Sequence, residues 1–348
     1  MANKDEKLVE FASALVGALD ETNAEPVITK DDMTFVASAP VPNATEAPIE
    51  EQTAEPNDTN ALTNENYYSE TMNKKYMSVS QFKDFAGTTA HGTCEDVALK
   101  KAKGEIVTPK TKSLLVGSYV DSYFEGTLEK FKEENPEIFK KTGDHGLLKE
   151  YVNAEDIINR INRDPLFVQF MSGEKQVIMT GNLFGVDWKI KMDSYLKDDK
   201  IVDLKIMKDM APIWSDEKHA KVDFIHYWGY DIQGAIYQKI VEINTGKKLP
   251  FYIACATKET PTDIQIIEVT QPHLDAALKF VEDNIDHVMN IKNGIIKPAK
   301  CGGCFYCKLN KTLAHPITID DIMPIRYNTN NDNNDSDEPF TGYNLFDE

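Results

Sequence analysis

The 348-residue sequence contains no run of 18 or more apolar residues and therefore no segment long enough to span a membrane as a helix. Its first residues lack the charged segment, apolar stretch and cleavage site of a secretory signal peptide. Cysteine is scarce, with five in the whole chain. These absences argue against a membrane protein and a disulfide-rich secreted scaffold. We expect a cytoplasmic protein whose cysteines serve metal or redox chemistry.

Negative charge is concentrated at the two ends of the chain. The net charge is -19, and residues 1–70 contribute fifteen acidic against three basic side chains. Residues 328–348 add six acids and no Lys or Arg, which leaves the middle of the chain near neutral. The overall charge therefore does not exclude a local basic groove for nucleic acid.

Composition and periodicity divide the chain into three parts. Residues 37–66 are rich in Ala, Pro, Thr, Asn and Glu and have few large apolar groups to offset the entropy of ordering. We predict a disordered acidic arm and linker over 1–70, one folded domain over 71–312 and an acidic flexible tail over 313–348.

The folded part combines both kinds of periodicity and predicts an α/β or α+β domain. Ser78 or Ser80 is predicted to cap a first helix. Further helices are predicted at 94–103, 112–125, 153–163, 165–171, 223–245 and 272–292. Strands are predicted at 175–181, 185–196, 200–207, 251–258 and 264–270.

Two acidic residues meet in the predicted hairpin that includes "KIVDLKIMKD". Asp203 and Lys205 are two apart and share one face of a strand. A three-residue loop centred on Asp198 pairs positions whose numbers sum to 396, so Asp193 faces Asp203 with Cβ atoms about 5 Å apart. Carboxylates this close favour a cation between them, such as Mg²⁺. The alternative is a surface hairpin with its polar face in water.

Two other segments offer polar groups to the same site. Asp121 lies in the apolar helix segment "LLVGSYVDSYFEG", where an acid is usually solvent-facing but also suits a metal ligand. Gly117, one turn earlier, is predicted to allow close approach to a sheet. Gln233 and Tyr237 are spaced i, i+4 and share a helix face, which by itself is weak evidence.

The order of these residues resembles the PD-(D/E)xK nuclease superfamily, within it the RecB-like group, and especially the phage exodeoxyribonuclease VIII (RecE-type) domain. The resemblance runs through "MSVSQFKDF", "GSYVDSYFEG", "GVDWKIKMD", "IVDLKIMKD" and "GYDIQGAIYQ". It implies a restriction-endonuclease-like core with a mixed central sheet flanked by helices. It also implies that Asp193 and Asp203 bind Mg²⁺ or Mn²⁺, that Lys205 acts beside the attacking water, and that Gln233 and Tyr237 position DNA.

The resemblance further implies an exonuclease in phage DNA recombination. Its partners would be DNA and a single-strand annealing or single-strand-binding protein, and an oligomer is compatible with it. One departure is Asp121, which stands where the RecB-like pattern usually carries His and which we take as a third metal ligand. The alternative function is a catalytically inactive DNA-end-binding or assembly protein that retains the fold.

The cysteine run "CGGCFYC" offers the thiols of Cys301, Cys304 and Cys307 without a neighbouring His. A fourth ligand is available from Cys94 or Cys255, and the alternating strand around Cys255 favours a buried apolar role for it. One upstream cysteine plus three downstream resembles the iron–sulfur staple of AddB-type and CRISPR-adaptation nucleases, which implies Cys94 and a 4Fe–4S cluster. Zinc and unligated thiols are the alternatives.

Overall fold

The computed structural model of the chain describes residues 61–106 and 111–319. The predicted arm up to residue 60 and most of the predicted tail lie outside this part. The chain divides into two compact units, Met1–Cys301 and Gly302–Glu348. No helix within the described ranges has the length and apolar character needed to cross a membrane.

The first unit holds ten of the helices and all eight strands that the structure describes, and the second holds one short helix. The helices are α1 Glu70–Lys75, α2 Val79–Ala86, α3 Glu95–Ala102, α4 Lys112–Glu125, α5 Leu128–Glu134, α6 Lys149–Asn162, α7 Pro165–Phe170, α8 Phe224–Trp228, α9 Tyr230–Thr245, α10 Gln271–Lys292 and α11 Phe305–Leu309, with a 3-10 turn at Pro136–Ile138. The strands are β1 Val177–Leu183, β2 Val186–Met192, β3 Ser194–Leu196, β4 Lys200–Met207, β5 Ile213–Ser215, β6 Ala220–Val222, β7 Phe251–Thr257 and β8 Ile264–Val269.

The central sheet is mixed, as predicted, and has the strand order β3-β4-β7-β8. Strands β4 and β7 are parallel, with Lys205 opposite Cys255, whereas the two outer pairs are antiparallel. Strands β1 and β2 form one separate hairpin, and β5 and β6 form another. Parallel β4 and β7 are joined through α8 and α9, which is the crossover that a parallel pair requires.

Side chains that alternate along β4 and β7 divide the interior into two layers. One face packs Ile201, Phe251 and Ile253 against apolar residues of α9 and α10. The opposite face packs Val202, Leu204, Ala254 and Ala256 against α4, α6 and α7. Helices therefore cover both faces of the sheet, and the strands are buried on both sides.

The predicted register of the β3–β4 hairpin is confirmed. Its pairs, Ser194 with Val202, Tyr195 with Ile201 and Leu196 with Lys200, all sum to 396. Asp198 lies at the centre of the loop with φ +65°. The predicted strand 185–196 is nevertheless interrupted at Asp193. The Asp193 carboxylate, rather than a backbone carbonyl, accepts the N–H of Leu204 from β4.

The predicted helix 223–245 is also divided, because Gly229 adopts a left-handed conformation with φ +64°. Asp223 caps the short helix α8 by accepting the N–H groups of Ile225 and His226. A Cβ atom at Gly229 would lie 2.8 Å from both Lys83 Cδ and Thr88 Cγ2. Only glycine tolerates this backbone and this close approach together, and the turn directs α9 along the sheet.

The folded part begins before the predicted boundary at residue 71. Tyr67 is 6% exposed, and its backbone carbonyl accepts a hydrogen bond from the ammonium group of Lys189. Asn73 Oδ1 accepts a second hydrogen bond from the same ammonium at 2.8 Å. These hydrogen bonds anchor the segment around Tyr67, which lies within the arm and linker predicted over 1–70. The predicted cap at Ser78 is confirmed, since its hydroxyl accepts the N–H of Gln81.

The close helix–sheet approach predicted at Gly117 lies instead at Gly234. A Cβ atom added at Gly117 meets nothing within 4 Å, so the prediction for this glycine was wrong. A Cβ atom at Gly234 would lie 2.4 Å from Phe251 Cδ1 and 2.9 Å from Leu274 Cδ2. Gly234 is therefore the position where the absence of a side chain lets α9 pack on β7 and α10.

These two helical glycines give a matched pair for a stability measurement. We expect Gly234→Ala to lower the free energy of unfolding by about 1–3 kcal/mol, because the added methyl group overpacks a closed core. We expect Gly117→Ala to raise it by roughly 0.5–1 kcal/mol through helix propensity alone. Urea denaturation of both variants checks this, and a similar gain in both would contradict the packing assigned to Gly234.

Candidate active site

The candidate site lies at the edge of β4, beyond the point where β3 stops pairing with it. Asp203 is 2% exposed, and its Oδ1 accepts a hydrogen bond from Gln233 Nε2 at 2.6 Å. Its Oδ2 forms an ion pair with Lys205 Nζ. The Lys205 ammonium also lies 5.1 Å from the ring centroid of Tyr230. The polar interruption of this apolar strand is thus an ion pair between a buried carboxylate and a partly buried ammonium group.

Asp193 is placed beside this ion pair by the break between β2 and β3. Its Oδ2 accepts the Leu204 N–H at 2.9 Å, and its Oδ1 accepts Gln176 Nε2 at 3.4 Å. Gln176 has φ +53° and precedes β1, and its own Oε1 is buried without a hydrogen-bond partner. Gln176 was not among the predicted site residues, because no sequence motif surrounds it.

Helix α4 brings two more carboxylates to the same place. Asp121 and Glu125 are one turn apart and, with Gln176 and Asp193, line a small cleft against Leu204. The structure therefore brings together Asp121, Asp193 and Asp203, which the sequence analysis assigned to one metal site.

Burial and mutual repulsion disfavour the ionised forms of two of these acids. Burial raises the pKa of Asp193 to about 7, and the charge of Asp203 adds to the effect. Burial likewise raises the pKa of Asp121 well above its ordinary value, with the charge of Asp193 adding to it. Burial lowers the pKa of Lys205, but the attraction of Asp203 and Asp193 outweighs this and leaves it above its usual range.

A divalent cation fits this donor set, because the site has more buried carboxylates than positive charge. Asp121, Asp193 and Asp203 supply the hard oxygen atoms that Mg²⁺ and Mn²⁺ prefer. In the part of the chain that the structure describes, these oxygens do not form a closed ligand set. The oxygens of Asp203 instead contact Lys205 and Gln233, and those of Asp193 contact Gln176 and the Leu204 N–H.

Gln233 and Tyr237 face the site from α9, and both are engaged within the protein. Gln233 is 9% exposed and holds Asp203, as described above. Tyr237 is 8% exposed, and its hydroxyl donates to the Lys191 carbonyl at 2.9 Å. Both side chains therefore position the strands that carry Asp193 and Asp203. The contact with DNA that the sequence analysis assigned to them stays a prediction.

A second lysine that the sequence analysis missed approaches the site from α2. Lys83 Nζ donates to the Trp228 carbonyl at 2.8 Å and lies 5.5 Å from the Tyr230 ring centroid. Burial lowers the pKa of Lys83 to about 8, and the charge of Lys205 adds to the effect. Its sequence neighbours Phe82 and Phe85 are core residues, so local pattern alone gave no sign of this position.

The cysteines form one close pair in each compact unit. In the first unit, the Sγ atoms of Cys94 and Cys301 lie within 4.8 Å of each other. The backbone carbonyl of Ala299 accepts the N–H of Asp96, and this bond holds the segment before Cys301 against the start of α3. In the second unit, Cys304 begins α11, and its Sγ accepts the Cys307 N–H at 3.4 Å.

Cys255 lies apart from these pairs, as the sequence analysis expected. It is 0% exposed on β7, and its thiol donates to Met207 Sδ at 3.3 Å. Burial raises the pKa of the Cys255 thiol to about 12, which disfavours the thiolate that a metal requires. Cys255 is therefore a core residue.

Comparison with known proteins agrees with this architecture. Residues 78–310 match the family described as "PDDEXK-like domain of unknown function (DUF3799)". The chain belongs to this PDDEXK-like family. A crystal structure from Eubacterium rectale, described as a "Putative exonuclease", is 52% identical, with a TM-score of 0.71. The match covers 75% of this chain and 98% of that one. Among curated proteins, none matches the chain.

These findings confirm the predicted superfamily and its α/β fold with a mixed central sheet. The letters of the name PDDEXK stand for the residue types of a motif, which includes two acidic residues and a lysine. In this structure Asp203 and Lys205 lie on β4, and Asp193 contacts β4 through the Leu204 N–H. The assignment to the RecE-type branch and the individual residue roles stay predictions.

The raised pKa of Asp193 predicts a pH-dependent stability in metal-free protein. Native Asp193 keeps its proton up to about pH 7, whereas an unfolded aspartate loses it near pH 4. The native state therefore binds more protons in this interval, and the contribution of Asp193 to stability falls as pH rises. Asn cannot titrate. Relative to Asp193→Asn, wild type should lose at least about 1 kcal/mol between pH 5 and 8, or about 2–4 °C in Tm.

Thermal melts of both proteins in EDTA and in millimolar Mn²⁺ check this expectation. The comparison cancels the contribution of the titrating groups that do not interact with Asp193. Mn²⁺ should raise the Tm of wild type most at the high end of the pH range and should affect Asp193→Asn less. Parallel Tm–pH curves in EDTA would contradict the raised pKa.

Proposed function

We propose that this protein is a metal-dependent DNA nuclease, and specifically an exonuclease that hydrolyses phosphodiester bonds. The observation that carries the proposal is the ion pair of buried Asp203 with Lys205, beside an Asp193 whose pKa is raised, at an open strand edge. Membership of the PDDEXK-like family and the description of the Eubacterium rectale relative support it. The resemblance in sequence alone suggests a role in phage DNA recombination. It alone also suggests a single-strand annealing or single-strand-binding protein as the partner.

In this proposal Asp121, Asp193 and Asp203 hold Mg²⁺ or Mn²⁺. When bound, the ion polarises the phosphate and lowers the pKa of a coordinated water. The raised pKa of Lys205 keeps its ammonium charged, so that it offsets negative charge as it develops on the phosphate. Gln233 keeps the Asp203 carboxylate in one orientation, and the Tyr230 ring lies close to the ammonium groups of both Lys205 and Lys83.

Cleavage of end-labelled linear and circular DNA in Mg²⁺ and in EDTA tests the proposal. Asp203→Ala and Lys205→Ala should each lower the rate by roughly 10²–10³-fold while the circular dichroism spectrum is kept. Lys208→Ala is the matched control, because Lys208 follows β4 with its side chain 91% exposed. An exonuclease should degrade the linear DNA and spare the circle.

Near-wild-type cleavage by Lys205→Ala would remove the active-site assignment. Binding of DNA ends without cleavage in Mg²⁺ or in Mn²⁺ would instead favour an inactive end-binding protein that retains the fold. Cleavage of linear and circular DNA at equal rates would indicate an endonuclease.

We also propose that Cys94, Cys301, Cys304 and Cys307 are ligands of one metal centre. Each unit already holds two of these sulfur atoms within 4.8 Å of each other, and two residues separate Cys301 from Cys304 along the chain. Four thiolates suit both a 4Fe–4S cluster and structural zinc. The C-x2-C-x2-C spacing favours the cluster.

Protein purified without oxygen should be brown if the centre is a 4Fe–4S cluster. Replacing any one of the four cysteines by Ser should remove the colour and lower the Tm, since the metal closes a long loop. Cys255→Ala should keep the colour and serves as the control. Colourless protein with one equivalent of zinc would favour zinc, and metal-free protein of unchanged stability would contradict both forms.

A further inference from the structure

Tyr68 is a large aromatic residue that the fold leaves uncovered. Its side chain is 71% exposed, whereas the neighbouring Tyr67 is 6% exposed. The two rings contact each other edge to face, with centroids 5.0 Å apart and an interplanar angle of 80°. One tyrosine is thus part of the core, and the next presents its other ring surface to solvent.

The backbone around Tyr68 is held firmly although its ring is exposed. Ser69 caps α1 by accepting the Met72 N–H, and Asn73 Nδ2 donates to the Tyr68 carbonyl at 3.1 Å. The Lys189 ammonium, in a residue only 1% exposed, donates to the Tyr67 carbonyl and to Asn73 Oδ1. Burying a charge is costly unless it is hydrogen-bonded, so this lysine is a strong and specific anchor for the segment.

Lys191 connects this exposed ring to the candidate active site. Its Nζ lies 4.8 Å from the Tyr68 ring centroid and 5.3 Å from that of Tyr67. Lys191 is two residues before Asp193 on the strand that leads into the site. The exposed Tyr68 ring is thus linked, through Lys191, to the strand that leads to Asp193.

We propose that Tyr68 and Lys191 form a nucleobase subsite at the mouth of the active site. The Tyr68 ring stacks on an unpaired base of the substrate strand, and the Lys191 ammonium contacts an adjacent phosphate. This inference rests on the proposed nuclease function and adds to it how the strand end is held.

The chemistry of the surroundings favours a base at this position over a phosphate. A base is neutral and has an open π face, so the nearby carboxylates do not repel it. Stacking of one base on an aromatic ring contributes about 5- to 150-fold in affinity and tolerates every base. A preordered ring also avoids the entropy cost of fixing a mobile side chain on binding.

Binding of a fluorescent single-stranded oligonucleotide in Ca²⁺, measured by anisotropy, tests the subsite separately from cleavage. Tyr68→Leu keeps an apolar side chain but removes the aromatic ring, and we expect it to weaken binding by about 5- to 150-fold. Tyr68→Phe and Tyr68→Trp retain a ring and should bind within about twofold of wild type, as expected for stacking. Because Tyr68 is exposed, all three variants should keep the wild-type Tm.

A scan of single abasic sites along the oligonucleotide locates the stacked base. Wild type should lose affinity at one position near the strand end, and Tyr68→Leu should show no further loss there. Lys191→Gln should reduce the slope of log affinity against log salt by about one, and the exposed control Lys208→Gln should leave the slope unchanged.

Two results would overturn the subsite. Equal affinities of wild type and Tyr68→Leu would show that the ring does not contact the strand. A loss in Tyr68→Phe as large as in Tyr68→Leu would show that the hydroxyl, not stacking, makes the contact. Absence of cleavage in Mg²⁺ with the abasic pattern intact would instead refute the nuclease function and leave the subsite standing.

Discussion

The ion pair between Asp203 and Lys205 is the interaction on which the rest of the site depends. Two opposite charges on one apolar strand are costly to bury unless each is paired and hydrogen-bonded. Gln233 and Tyr230, both from α9, supply these contacts. Helix α9 can do so because Gly229 turns the chain before it and Gly234 lets it lie close to Phe251. The packing of α9 on β4 thus positions the residues that contact the Asp203–Lys205 ion pair.

The site around this pair is electrostatically unfavourable in the absence of a cation. Burial raises the pKa values of Asp193 and Asp121, and the neighbouring carboxylates add to the effect. Such an arrangement reduces stability, and its retention is understandable where the groups serve binding or catalysis. In the proposed nuclease, the same excess of carboxylate makes a neutral aromatic ring with a lysine beside it a suitable surface for a substrate strand.

Residues from distant parts of the chain meet in this region. Tyr68 comes from the segment before α1 and lies beside Lys191, Lys83 comes from α2 and lies beside Tyr230, and Asp121 comes from α4 and shares a cleft with Asp193. Buried lysine ammonium groups act twice as the anchors. Lys189 fixes the backbone beside Tyr68, and Lys83 fixes the end of α8 through the Trp228 carbonyl. Each of these hydrogen bonds joins two residues that are more than a hundred positions apart in the sequence.

The sequence by itself determined the features that depend on neighbouring residues. The hairpin register, helix 112–125, the Ser78 cap and the buried Cys255 all follow from local periodicity and capping. The break at Asp193 and the positions of Lys83, Gln176 and Tyr68 were decided by contacts between separate elements, which local pattern does not show. Gly117 and Gly234 show the reason: both are helical glycines, and only the packing of other elements distinguishes them.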